Sequence, residues 1–135
     1  MASGRRGQAE TAARRALDLL EAEAELDAAD LADVADLLAT LRTDTGDVAE
    51  AEALSRRALS LTDEVPAEDE ALDRLRVHSL WGLAEVLRRR GCHHEAEDRL
   101  RAALTLAREA ACVDDREMAV LEDELRALSR YIGRT

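Results

Sequence analysis

Leu31, Val34, Leu38 and Leu41 recur at three- to four-residue intervals ahead of Gly46, and Val77, Leu80, Leu83, Ala84 and Leu87 do the same ahead of Gly91. Met118, Leu121, Leu125 and Leu128 repeat the pattern near the end of the chain. Apolar positions at i, i+3, i+4 and i+7 predict amphipathic helices that each bury one face. Beyond the glycines, Ala51 and Ala58 match Ala96 and Ala103, with Leu54, Leu59, Leu100 and Leu104 around them. Small side chains let two helix backbones approach while leucines fill the space beside them. Glycine suits the left-handed residue that ends a helix, because a Cβ would clash there. Each period therefore reads as helix, glycine turn, helix. Six helices are predicted, roughly 5–25, 28–44, 47–63, 68–90, 94–111 and 114–132. Pro66 falls in the connection between two hairpins, where it breaks no helix. Glu21–Asp30 holds no strong breaker, which leaves open whether the first two helices fuse.

The glycines keep a beat: Gly4, Gly46, Gly91 and Gly133 are spaced 42, 45 and 42 residues apart. The segment Ala9–Leu19 aligns with Ala51–Leu61, with Ala, Glu, Arg, Arg, Ala, Leu and Leu identical, and Ala96–Leu106 is a third copy. A fixed period shared by segments and glycines is the mark of a repeat architecture. Composition agrees, since 27 Ala and 22 Leu fill more than a third of the 135 residues, with one Ile, one Trp, one Tyr and no Phe. Strong helix formers dominate, and the β-branched and aromatic residues that supply strands are scarce. The fold class predicted is all-α, and the length suits one domain that folds without disulfides or metal.

Leu80, Leu83, Ala84, Leu87, Gly91, Ala96, Leu100 and Ala103 fall in order on the large-apolar, small and glycine places of the tetratricopeptide repeat (TPR). The earlier copy offers Ala35, Leu38, Ala39, Gly46, Ala51, Ser55 and Ala58, with Arg42 where a large apolar residue is usual. The chain resembles that family over nearly its whole length. The closing proline is missing and the period exceeds the usual ~34 residues, so it is most similar to the longer variant of kinesin light chains and many bacterial signalling proteins. The resemblance implies an α-solenoid, a right-handed stack of antiparallel helix hairpins. Its layout is a half-repeat at 5–25, hairpins at 28–63 and 68–111, and a terminal helix at 114–132, within one domain over 1–135.

Thirty acids against 19 arginines leave a net charge of −11, which repels nucleic acids and anionic membranes. Residues 18–73 carry −15 and residues 74–108 carry +4. No apolar run approaches the ~18 residues of a membrane span, and Arg5 and Arg6 precede no signal core. Cys92 and Cys112 make no disulfide framework. A soluble, reducing, cytoplasmic chain is expected. The arginine-only, alanine-rich usage suggests a high-GC bacterial source.

In TPR arrays the first helix of each hairpin lines a concave groove. The resemblance puts His78, Trp81, Gly82, Glu85, Arg88 and Arg89 on that surface in one repeat, and Asp33, Asp36, Thr40 and Asp44 in the other. Gly82, beside the single Trp, could clear space for a ligand backbone, and Arg88 and Arg89 could hold carboxylates by paired hydrogen bonds. Trp81 packed between hairpins with solvated arginines is the plainer alternative. Cys92-His93-His94 has metal-binding atoms, but adjacent residues entering a helix fan around it and do not converge on one ion. No phosphate loop, His-Glu-x-x-His or Gly-x-Ser-x-Gly motif is present, so no enzyme, cofactor or small-molecule substrate is expected. The arginine strip Arg88–Arg90, Arg99, Arg101 and Arg108 lacks the interleaved aromatics of a nucleic-acid surface.

The function expected is a non-enzymatic protein- or peptide-binding adaptor that takes an acidic or C-terminal segment in its groove. The alternatives are a self-associating cap or homodimer domain, whose acidic half meets its basic half, and a regulatory fragment of a bacterial signalling or transcription regulator.

Overall fold

The computed structural model describes residues 28–64 and 70–134, together with residues 7, 8, 11, 14, 15 and 18. All regular structure among the described residues is helical: α1 (Ala28–Thr45), α2 (Val48–Asp63), α3 (Glu70–Arg89), α4 (His93–Ala110) and α5 (Asp115–Arg134). The all-α expectation holds. Most of the helix expected at 5–25, its boundary with the next, and Pro66 lie outside the described residues, although Gly7, Gln8, Thr11, Arg14, Arg15 and Asp18 are helical. The helices fall into two compact units, Met1–Pro66 and Ala67–Thr135.

In the first unit α1 and α2 pack as a hairpin. Ala32, Ala35, Ala51 and Ala58 are fully buried at the crossing, and Leu38, Leu54 and Leu61 pack around them. Gly46 takes φ +89° at the turn. The N–H of Gly46 donates to Thr43 O at 3.2 Å and that of Asp47 to Arg42 O at 3.0 Å, a Schellman closure. Asp47 then caps α2 by accepting the Glu50 N–H at 3.3 Å. Arg42, where the repeat pattern favours a large apolar residue, is half-buried and sets its Nε 3.5 Å from Glu50 Oε2. Glu50 also receives Arg14.

The second unit repeats the device. Gly91 takes φ +82°, its N–H donates to Arg88 O at 3.1 Å, and that of Cys92 donates to Leu87 O at 2.9 Å. Here, however, the residue in the capping place is Cys92, and α4 receives no side-chain cap. Helix α4 packs against both α3 and α5. Its Ala96, Ala103 and Ala107 are fully buried, and Leu83, Leu87, Leu100, Leu121 and Leu128 complete the core. Cys112 is buried just beyond α4. Desolvation, with the nearby charges of Asp73 and Glu70, pushes its thiol above the ordinary value.

Two ends depart from the glycine rule. Ala111, not a glycine, takes the left-handed φ of +50° after α4. Gly133, expected at a turn, lies inside α5. The helix runs through it because the half-buried Leu125 and Ile132 extend the packed stripe of Leu121 and Leu128.

Candidate functional site

Helix α3 presents Arg74, His78, Trp81, Glu85 and Arg88 at three- and four-residue steps, so they share one face. Helix α5 lies along that face. The Trp81 Nε1–H donates to Glu124 Oε2 at 2.6 Å. His78 stacks on the Trp81 ring with centroids 6.0 Å apart and planes 25° apart, and its Nε2 sits 3.3 Å from Glu117 Oε2. Arg74 Nη2 reaches the other oxygen of Glu117 at 3.4 Å. Two glutamates one heptad apart on α5 thus hold three α3 side chains.

A cleft of about 550 Å³ opens next to Trp81. Ala84, Glu85 and Arg88 form the α3 wall, Ala127, Leu128, Tyr131 and Glu124 the α5 wall, and His93 and Leu100 of α4 the base. Ala84, Leu100 and Leu128 are buried, which makes the floor apolar. The His93 ring lies 4.7 Å from that of Tyr131, tilted by 59°, and Tyr131 is 51% exposed at the mouth.

The polar rim is organised around Glu85. Arg88 Nη2 donates to both its oxygens at 2.8 and 2.9 Å and Arg88 Nε to Oε2 at 3.2 Å, while Arg89 Nε donates to Oε1 at 3.1 Å. Burial opposes ionisation of Glu85, but the hydrogen bonds and charges of Arg88 and Arg89 together outweigh it and hold the carboxyl below its ordinary range. Hydrogen bonding to Glu85 in turn raises Arg88. Two of the three guanidinium nitrogens of Arg88 are engaged in these bonds, and Nη1 is directed elsewhere.

The expected site residues divide accordingly. Glu85 and Arg88 line the cleft. Trp81 and His78 stand beside it, with Trp81 coupled to it through Glu124. Arg89 braces Glu85, and Gly82 is half-buried within α3. Asp33, Asp36, Thr40 and Asp44 lie on α1 in the other unit, where the Thr40 hydroxyl donates to Asp36 O at 3.1 Å. Sequence reasoning missed His93, Leu100, Glu124, Ala127, Leu128 and Tyr131. A signal for most of them was present. Trp81 and Glu124 are 43 residues apart, as are Arg74 and Glu117, and the cleft pairs Ala84 with Ala127 and Arg88 with Tyr131 at the same separation. Helices α3 and α5 lie side by side in the second unit, so adding about one period to an α3 residue finds its neighbour on α5. Among the described residues, no group of three His, Cys, Asp or Glu is placed to hold a metal ion, and no helix is long and apolar enough to cross a membrane.

Neither a family model nor a curated protein matches the chain. Among solved structures it is similar to BtubC (BKLC) from P. vanneervenii, with a TM-score of 0.72 and 23% sequence identity over 94% of this chain and 50% of that one. The chain thus spans about half the length of that protein. BtubC is a kinesin light chain-like protein. The fold of this chain is a TPR-like helical repeat.

Proposed function

We propose that the chain is a non-enzymatic binding module that seats a segment of another protein in the cleft between α3 and α5. The observation that carries this reading is the cleft itself: an apolar floor of Ala84, Leu100 and Leu128 beneath a polar rim of Glu85, Arg88 and Glu124. A concave apolar site with a few directed polar groups is the usual form of a recognition pocket. An apolar side chain of the partner fits the floor, Tyr131 supplies an exposed aromatic anchor, and Nη1 of Arg88 is available to a carboxylate, either an acidic side chain or a C-terminus. TPR-like folds commonly serve as interaction scaffolds, which agrees with an adaptor role. Nothing among the cleft residues resembles an activated nucleophile, and Glu85 is committed to two arginines.

The test is selection from a displayed random-peptide library with free C-termini, followed by titration of the enriched peptides. Binding to the wild type, weakened about tenfold or more by Arg88→Ala or Tyr131→Ala, is the expected result. Both side chains are more than half exposed, so the variants should keep their helical signal. Enriched peptides that bind both folded variants as tightly as the wild type would place recognition elsewhere.

A further inference from the structure

Seven of the eight arginines that make residues 74–108 basic have an ion-pair partner inside the unit. Arg74 pairs with Glu117, Arg76 with Asp73, Arg88 and Arg89 with Glu85, Arg99 with Glu95, Arg101 with Glu97 and Arg108 with Glu122. The side of α5 turned away from α3 and α4 is different. Arg116, Arg130 and Arg134 are exposed there with Asp123 and Val120, a 41% exposed apolar residue, between them, and the exposed Arg126 and Asp115 flank this stripe. Arg126 pairs with Asp123, whereas Arg116 and Arg130 make no ion pair among the described residues.

Helix α1 carries the opposite pattern. Asp33, Leu37, Thr40 and Asp44 form one exposed stripe, and Leu37 at its centre is 56% exposed. Asp33 and Leu37 are four residues apart, as are Arg116 and Val120. Each step is about 6 Å along one face of its helix, so a parallel pair would meet apolar on apolar with Arg116 beside Asp33. Two of the charges oppose the dipole of their own helix, Asp44 in the last turn of α1 and Arg116 in the first turn of α5. Helix stability does not account for their places.

We infer that the outer face of α5 docks on the exposed stripe of α1 in a second copy of the chain, Val120 against Leu37, with Arg116 facing Asp33 and Arg130 on the side of Asp44. Because the two faces differ, the contact is head-to-tail. It is independent of the cleft.

Sedimentation velocity of the full chain over a range of concentration and salt tests this. The wild type should associate at low ionic strength and dissociate as salt is raised, since exposed charges are screened over ~10 Å at 0.1 M. Asp33→Arg with Asp44→Arg, and separately Arg116→Glu with Arg130→Glu, should each weaken association about tenfold or more. Mixing the two variants should restore it, because each then meets a complementary face, and that restoration also shows that both are folded. Arg88→Ala with Tyr131→Ala should associate like the wild type, which separates this contact from the cleft reading. A wild type that stays monomeric throughout, variants that associate undiminished, or a mixture that fails to recover would overturn the inference.

Discussion

Cys92 stands where Asp47 stands one repeat earlier, and the difference is one hydrogen bond. Asp47 accepts the Glu50 N–H, while Cys92 gives α4 no side-chain cap. Thiols are weak acceptors, so the first N–H groups of α4 depend on solvent. Cys92→Asp is expected to stabilise the protein by about 1 kcal/mol, read as a higher urea midpoint at unchanged slope. No shift in midpoint would mean that water already satisfies that end. The same scale explains one silent position in the sequence. Ala111 takes a left-handed φ without the glycine that signals one, so that end of α4 was not legible, whereas Gly46 and Gly91 announced theirs.

Between elements, α5 is attached to α3 by side chains that sit one repeat apart in the sequence. Trp81 to Glu124 is the shortest of these bonds, at 2.6 Å. Trp81→Phe keeps an aromatic ring beside His78 but removes the indole N–H. In a double-mutant cycle with Glu124→Ala the coupling is expected to be about 0.5–1.5 kcal/mol, the range for a typical intramolecular hydrogen bond, since this one is solvent-exposed. Additive effects in urea unfolding followed by circular dichroism would show that the bond contributes nothing. The α3 half of the cleft was readable as a periodic face. The α5 half follows by adding one repeat to the α3 positions, but only once α3 and α5 are known to pack as neighbours, which periodicity within one helix does not say.

Across the whole molecule, acid conditions act in two directions. Titration from pH 7 toward the isoelectric point near 4.7 removes the repulsion of a net charge of −11. Glu85 and Glu97 are both held below the ordinary value of 4.5. Burial is the largest influence on Glu85 but is outweighed by Arg88 and Arg89, and for Glu97 the largest is the Ser129 hydroxyl, donating at 2.6 Å. A carboxyl with a lowered folded value contributes stability above its unfolded value and loses it as pH falls through the folded one. The stability advantage of the wild type over Glu97→Gln should therefore be present at pH 7 and disappear below 4.5, checked by thermal melts of both proteins across that window. An advantage that persists into acid would mean that Glu97 acts by packing. The sequence by itself determined the all-helical class, the repeat period, the glycine turns at Gly46 and Gly91 and the face of α3 that carries Trp81, Glu85 and Arg88, because each is a matter of local propensity and spacing. Only the tertiary structure decided that Arg74, His78 and Trp81 of α3 reach Glu117 and Glu124 of α5, and that α5 supplies the other wall of the cleft. Those outcomes depend on distances between residues far apart in the chain, which side-chain packing alone sets.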